Sequence, residues 1–410
     1  MQPIPFEADP EHCRLLVGGE PMIFHCHHFN AYLHRTVAEA SYLGTGPVLI
    51  GAGAEVAHAQ FRALFDRGGV KGPDRARLAE ALYRWAGFGT FDLSGLGQDG
   101  GTVRTRHSHY ALGWRARFGA ATAPVCHFSA GWLAGALAAI HDRPDGAYGV
   151  RETQCAAVDG AECVFEVSAA APSYTVFPSP GVGPLTPHRP RPVPAGPVDH
   201  EGIPKAVGGL PLVGNEDGMI PAFGVYLTRH YANYYNRVMF ETERRLVERF
   251  GAEGHETGAS LFVEAGHICA FHTMGGIMTS PEWDALIRPT LRTREDWIQG
   301  IVAVINALGW GRWQATKVSE AEAEFVLHDD YESVGYLGMY GRSPYPISYL
   351  AQGGVAGLMN LVYVGNIAER PELSLRFYDT LFRASEGYAA TPTASRATGD
   401  EVTAFRVVRR

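Results

Sequence analysis

Three cysteines and one glutamate stand at spacings that suit a bound metal ion. They are Cys126, Glu152, Cys155 and Cys163, in the arrangement C…E-x-x-C-x7-C. Thiolates bind Zn²⁺ at about 2.3 Å, and a shell of four protein ligands is the usual form of a structural zinc site. The alternative is that the cysteines serve as small buried apolar residues. The spacing favours a zinc site with these four residues as ligands.

Two local elements are predicted to bring these residues together. Cys126 precedes an apolar, Ala/Gly-rich stretch over 127–141, which predicts a buried helix. At the N-terminus of that helix the backbone dipole favours a thiolate. A β-hairpin predicted over 148–168 places Cys155 and Cys163 on either side of its turn.

The chain contains two related halves. Residues 87–91 read GFGTF, and residues 309–313, 222 positions later, read GWGRW. The same separation places PVCHFSAGWLAG (124–135) on PISYLAQGGVAG (346–357). A constant separation over some fifty residues indicates an internal duplication.

The halves differ most at the metal ligands. The four first-half ligands correspond in the second half to Ser348, Pro392, Ser395 and Thr403. A metal site is worth little once any ligand is lost, so the joint loss of all three thiols indicates that they act as one unit.

A proline-rich segment separates the halves. Ten prolines lie between positions 172 and 204, which predicts an extended, semi-rigid linker. We therefore expect a first domain over 1–168 with the zinc site, a linker over 169–204, and a second, degenerate domain over 205–410 without zinc ligands. Each domain should be α+β, with helices and a small antiparallel sheet, and the two should form a pseudo-dimer.

Several histidines of the first half are further candidates. His25 and His27 form an H-x-H pair; a strand would place both rings on one face, where they could bind a second metal ion. His28 is repeated as His230, in HFNAYLHR and HYANYYNR, 202 positions apart, which favours a structural role. His109 is replaced by a tyrosine in the second half, as is His127, and such half-specific residues are candidates for a functional site.

Two segments of the first half resemble a known family. The segments PVCHFSAGWLAG (124–135) and VRETQCAAVDGAECVFEV (150–167) resemble the 4-vinyl reductase domain, which also forms the sensor region of phenol- and xylene-responsive transcription activators. The resemblance covers 105–168 and, in weaker form, about 325–408. It implies a four-ligand zinc site at Cys126, Glu152, Cys155 and Cys163.

The resemblance also implies a ligand pocket just before the zinc segment. In the family, a histidine and the tryptophan of a W-x-x-S motif hold phenolic ligands. Here Ser108 matches the serine but Thr105 takes the tryptophan position, so the resemblance does not extend to recognition of a simple phenol. We expect an apolar cavity for a small-molecule ligand at His107, His109, Trp114, Trp85 and His127.

Composition limits the partners and the location. The net charge of -8 and a pI near 6.1, without a Lys/Arg cluster, argue against nucleic acid. The N-terminal MQPIPFEADPEH lacks the basic and apolar parts of a secretory signal, and the apolar run over 128–140 is too short to span a bilayer. We expect a cytoplasmic protein with reduced cysteines and no membrane span, either a monomer as an intramolecular pseudo-dimer or a homodimer.

Three functions are compatible with the sequence. The favoured hypothesis is a binding protein for an aromatic or heterocyclic small molecule, with a structural zinc site. The alternative is a metal-dependent enzyme of a small-molecule metabolic or biosynthetic pathway that uses the half-specific histidines. A third is a scaffold that binds a partner enzyme. No Ser-His-Asp order or paired-carboxylate motif identifies a reaction class, so catalysis stays open.

Overall fold

The protein is an α+β protein, as the sequence predicts. The computed structural model describes residues 4–178, 185, 187–188, 196–382 and 386–410, and over these it combines helices with three antiparallel sheets. The buried apolar side chains of both halves form one continuous core. Within the described ranges, every helix is too short or too polar to cross a bilayer.

The strands and helices follow one another in mixed order along the chain. The strands are β1 (Glu7–Asp9), β2 (Arg14–Val17), β3 (Glu20–Cys26), β4 (Gly100–Thr105), β5 (Gly149–Gln154), β6 (Cys163–Ser168), β7 (Ile220–Ala222), β8 (Val225–Tyr231), β9 (Arg312–Val318), β10 (Glu322–His328), β11 (Tyr388–Ala394) and β12 (Thr403–Arg409). The helices are α1 (His27–Glu39), α2 (Gly46–Gly68), α3 (Pro73–Trp85), α4 (His109–Phe118), α5 (His127–Ile140), α6 (Ala156–Asp159), α7 (Gly202–Gly208), α8 (Ala232–Phe250), α9 (Ala252–Cys269), α10 (Gly275–Met278), α11 (Pro281–Leu286), α12 (Arg294–Ile305), α13 (Tyr331–Tyr340), α14 (Tyr349–Met359) and α15 (Leu375–Phe382).

A five-stranded sheet joins the two halves of the chain. Its order is β1-β2-β3-β8-β7, so a hairpin from each half meets its counterpart at the β3–β8 pair. This pair is antiparallel, with Met22 opposite Tyr231 and Phe24 opposite Arg229. The ladder hydrogen bonds of both strands are therefore satisfied across the boundary between the halves.

Reciprocal hydrogen bonds outside the ladder reinforce this junction. The Phe24 N–H donates to the Leu308 carbonyl at 2.9 Å, and the Arg229 N–H donates to the Ala86 carbonyl at 2.8 Å. In addition, the indole N–H of Trp310 donates to the Phe24 carbonyl at 2.9 Å. Each half thus supplies acceptors for the strand of the other.

These bonds correct the alignment at the start of the halves. Because Leu308 corresponds to Ala86, Phe24 corresponds to Arg229, a separation of 205 positions. His230 is then the counterpart of His25, and its sequence-based pairing with His28 is wrong by three residues. The separation of 202 matches all three residues of the H-x3-Y-x2-R pattern and that of 205 matches only the histidine, so residue identity favoured the wrong register.

The two other sheets belong to separate halves. The order β4-β6-β5 in the first half is matched by β10-β12-β11 in the second, with β9 added beside β10. In chain order, α4 and α5 lie between β4 and β5, and α13, α14 and α15 lie between β10 and β11. The order of elements follows the duplication in the sequence, and the domain boundaries stay a prediction.

The linker segment packs closely where it leaves the first half. The Tyr174 hydroxyl donates to the Tyr148 carbonyl at 3.0 Å, and the Thr175 N–H donates to the Pro47 carbonyl at 3.1 Å. The middle of the predicted 169–204 linker lies largely outside the described residues.

Glycines allow two helix pairs to pack backbone against backbone. A Cβ atom on Gly131 of α5 would lie 1.9 Å from the Ile50 carbonyl oxygen of α2. In the second half, a Cβ on Gly353 of α14 would lie 2.0 Å from the Val263 carbonyl oxygen of α9. The two glycines are 222 positions apart, so the same close approach positions α5, which follows Cys126, and its counterpart α14.

We predict that Gly131→Ala lowers the free energy of unfolding by about 2 to 3 kcal/mol, because the methyl group overlaps a backbone oxygen that cannot move alone. Urea denaturation measures this. Gly338→Ala is the control, since no atom lies within 4 Å of a Cβ there and alanine favours the helix. Equal stability of Gly131→Ala and the wild type would contradict the close approach.

Candidate metal centre and buried polar core

The four predicted metal ligands converge at one point of the first half. Cys126 is the N-cap residue of α5, and Cys163 is the first residue of β6. Glu152 lies in β5, and Cys155 follows the end of that strand. The predicted helix and the predicted β5–β6 hairpin are both present, with the one-turn helix α6 in the hairpin connection.

The spacing of the donor atoms fits a tetrahedral zinc site. The Cys126 sulfur lies 3.9 Å from the Cys155 sulfur and 3.7 Å from the Cys163 sulfur. Zinc–sulfur bonds of about 2.3 Å at tetrahedral angles separate sulfurs by about 3.8 Å. One carboxylate oxygen of Glu152 completes a set whose atoms all lie within 4.8 Å of one another. Among the described residues this is the one group found with metal-ligand spacing.

Neighbouring groups orient the ligands and leave one oxygen free. Glu152 Oε2 accepts a hydrogen bond from the Cys126 N–H at 2.9 Å, while the buried Oε1 has no partner within the described residues. The Ala156 N–H donates to the Cys163 sulfur at 3.4 Å, and the Ser108 hydroxyl lies 3.3 Å from the Cys126 sulfur. Such contacts fix ligand orientation around a metal.

Electrostatics favour a cation among these groups. Burial, together with the Cys155 charge, raises the pKa of Glu152 to about 8, and burial raises the pKa of the Cys126 thiol. The pKa of Cys155 is lowered, because its sulfur accepts hydrogen bonds from the thiols of Cys126 and Cys163. Three thiolates and a carboxylate cannot be buried together without a counter-charge, and a divalent metal ion supplies one.

Hydroxyl groups and one carboxylate occupy the corresponding place in the second half. Asp330 accepts hydrogen bonds from the Ser348 hydroxyl at 2.9 Å and from the Thr403 hydroxyl at 2.7 Å. The Ser333 hydroxyl lies 2.9 Å from that of Ser348 and 3.1 Å from that of Thr403. Direct hydrogen bonds therefore join the residues at the second-half positions that correspond to the Cys/Glu cluster.

Asp330 was missed in the sequence analysis. It lies 222 positions after Ser108, whose hydroxyl contacts the Cys126 sulfur. The sequence did contain a signal for this role: at the 222 separation, Asp330 replaces Ser108 in the half that has lost the three cysteines.

The five residues predicted to line a ligand pocket have separate surroundings. His107 is half-buried and lies 3.4 Å from Asp217, whereas the buried His109 ring is hydrogen-bonded to the Asn30 amide at 2.9 Å. Trp114 is half-buried and packs edge-on against Phe118. Trp85 packs against the Arg229 guanidinium, and the His127 ring is hydrogen-bonded to the Val125 carbonyl.

A buried hydrogen-bond network fills the centre of the molecule. The Tyr110 hydroxyl lies 2.7 Å from His230 Nε2, and the Tyr234 hydroxyl lies 2.6 Å from His34 Nε2. The Tyr235 hydroxyl donates to the Asn30 side chain at 2.6 Å. Each bond joins the two halves, so these tyrosines and histidines act in packing and polar satisfaction.

His25 and His27, the predicted second metal site, do not belong to the group of described side chains that has metal-ligand spacing. β3 ends at Cys26, so the alternation of a strand does not extend to His27, which begins α1. His27 Nδ1 accepts from the Tyr226 N–H at 3.1 Å. His25 Nδ1 lies 3.5 Å from the Cys269 sulfur. The two rings therefore serve different partners.

A large cavity lies at the outer side of the junction between the halves. It has a volume of about 700 Å³ and is lined by residues of β1–β3, α7 and the 306–312 segment, together with Trp85 and Arg229. By contrast, a closed cavity in the second half, beside Trp313 and Tyr331, has room for about one water molecule.

Comparisons with known proteins add little. No family model matches the chain, and no curated protein matches it. One solved structure with similarity is the crystal structure of the phenol-responsive sensory domain of the transcription activator PoxR with phenol. The identity is 13% and the TM-score 0.34, over 47% of this chain and 82% of that chain. Similarity of this size establishes neither family nor function, so membership of the 4-vinyl reductase family stays a prediction.

We predict that His25 contributes to loss of stability in acid. Burial lowers its pKa in the folded protein to about 3, against about 6.5 in an unfolded chain. The unfolded state therefore takes up a proton first, and stability present above pH 6.5 is lost as the pH falls towards 3. In His25→Phe the fall in unfolding free energy between pH 6 and 4 should be smaller by about 2 kcal/mol.

Urea denaturation at a series of pH values measures the difference. The control Leu375→Ala changes an exposed side chain that does not titrate, and its curve should run parallel to that of the wild type. Parallel curves for His25→Phe and the wild type would show that His25 is not buried as a neutral ring.

Proposed function

We propose that the protein binds a small molecule, aromatic or heterocyclic in character, and carries a structural zinc ion at Cys126, Glu152, Cys155 and Cys163. The observation that carries the metal assignment is the closed, buried donor set. The three cysteines are 0 to 2% exposed, and their sulfurs have the mutual spacing of zinc ligands. Four protein ligands leave a tetrahedral ion no position for substrate, which supports a structural role.

The donor chemistry favours zinc over harder ions. Thiolates select zinc and other soft metals, whereas magnesium and calcium take oxygen ligands. The unpartnered Oε1 of Glu152 is available as the fourth donor. When bound, the ion ties α5 to the β5–β6 hairpin and so contributes to folding energy.

Small-molecule binding is supported by the cavity of about 700 Å³, a size typical of ligand pockets. Apolar and aromatic side chains such as Phe24 and Trp85 line it, with a few charged groups. The half-specific histidines are held by Asn30, Val125 and other protein groups, an arrangement that favours binding over metal-dependent catalysis.

The interlocked halves support a monomer that is an intramolecular pseudo-dimer. Each half completes the hydrogen bonding of the other at β3 and β8. A cytoplasmic location is part of the proposal, because zinc-binding thiols persist where cysteines stay reduced.

Native mass spectrometry of the purified protein tests the proposal. We expect one zinc ion per chain and a second mass increment from a bound small molecule. Cys155→Ser should lose the zinc and melt at a lower temperature, because a structural site contributes folding energy. Ser395→Ala, at the corresponding second-half position, should keep both.

Two results would contradict the proposal. Zinc retained in Cys155→Ser with an unchanged melting temperature would reject the structural site. Chains that bind neither an endogenous nor an added apolar compound would reject small-molecule binding.

A further inference from the structure

The large cavity is lined by a half-buried cation, Arg229, that has no carboxylate partner among the described residues. Arg229, at the end of β8, places its guanidinium carbon 4.4 Å from the centre of the Phe24 ring and 4.7 Å from that of Trp85. Its Nη2 donates to the Leu212 carbonyl at 3.3 Å, and its buried Nε has no partner within the described residues. A guanidinium has five N–H donors, so this group can bind an anion as well as the Leu212 carbonyl.

The environment of Arg229 is costly for a charge. Burial alone lowers the pKa of its guanidinium to about 10, with no contribution from a neighbouring carboxylate. The two aromatic rings offer cation–π attraction, which offsets part of the desolvation. Buried charges in proteins are normally paired, so an unpaired guanidinium facing a cavity calls for an anion.

The carboxylates that line the cavity do not supply that anion. Asp9 is bonded to Arg14 and to His12, at 2.8 Å in each case. Glu11 and Glu201 are exposed. These three acidic side chains face four cationic ones, Arg14, Lys205, Arg229 and Arg312, so the lining has one excess positive charge.

We propose that this cavity binds an apolar monocarboxylate, with its head group on Arg229 and its body against Phe24, Trp85 and Phe6. The inference rests on the proposed small-molecule binding and names its site and ligand class. Phe6 is 54% exposed and stacks at 6.5 Å on Trp85, so an apolar body would cover it. A planar carboxylate matches the guanidinium fork in bidentate geometry.

A ligand with one negative charge suits the site better than a ligand with two. A phosphate dianion would meet the acidic side chains at the rim, while a monoanion balances the single excess positive charge. The apolar walls favour a ligand with a sizeable hydrocarbon or aromatic part.

Isothermal titration with 2-naphthoate and with the neutral 2-naphthalenemethanol tests the proposal. The wild type should bind the carboxylate more tightly than the alcohol. Arg229→Gln should weaken naphthoate binding by about 10- to 100-fold, the value of a charge-assisted hydrogen bond, and change alcohol binding less than about threefold. Arg229→Lys, which keeps the charge and loses the fork, should fall between.

Two controls keep the result specific. Arg249→Gln removes an arginine that also stacks on two aromatic rings, Tyr42 and Phe250, but lines a different cavity, and it should bind both probes as the wild type does. Phe6→Ala shortens the apolar wall at an exposed position and should weaken both probes alike. This second variant tests the site even if Arg229→Gln fails to fold.

The outcomes separate this inference from the proposed function. Equal binding of the two probes, or naphthoate binding unaffected by both Arg229→Gln and Phe6→Ala, overturns the site while small-molecule binding stands. Absence of naphthoate binding with a different compound found in native mass spectra overturns the ligand class. Absence of any bound compound in both measurements overturns the proposed function as well.

Discussion

The pairing of β3 with β8 is the interaction on which the rest of the molecule depends. It joins one edge strand from each half, and strands with free edges expose hydrogen-bonding groups that proteins seldom leave open. The reciprocal bonds from Phe24 and Arg229 to the other half extend the same exchange beyond the ladder. Neither half can satisfy these backbone groups alone, which explains why the core is continuous across the chain.

Within this shared frame the two halves use different chemistry at one position. The Ala156 N–H donates to the Cys163 sulfur, and the Arg396 N–H donates to the Thr403 hydroxyl, both at 3.4 Å. The backbone is thus kept while thiols are exchanged for hydroxyls. In the second half the carboxylate of Asp330 links the hydroxyl groups, a task that the proposed zinc ion performs in the first.

Sequence patterns were sufficient where the structure is local. The helix after Cys126 and the hairpin that carries Cys155 and Cys163 follow from residue type and turn chemistry, and both are present. Sequence patterns were insufficient where packing between the halves determines which partner a buried side chain has. His230 is bonded to Tyr110, and Tyr235 to Asn30, through contacts between residues 120 and 205 positions apart.

The sequence also could not give the correct alignment of the two halves near their starts. Three identical residues favoured a separation of 202, whereas the separation of 205 is set by backbone hydrogen bonds to the other half, which leave no trace in residue identity. No sequence motif predicts the cavity at Arg229, because its walls come from β1–β3, α7 and distant loops.

Zinc K-edge X-ray absorption on the purified protein tests the central claim, a zinc ion held by three thiolates and one carboxylate. The account predicts three sulfur neighbours at about 2.3 Å and one oxygen at about 2.0 to 2.2 Å, without a histidine signature. A shell dominated by nitrogen and oxygen, or one with fewer than three sulfurs, would contradict it.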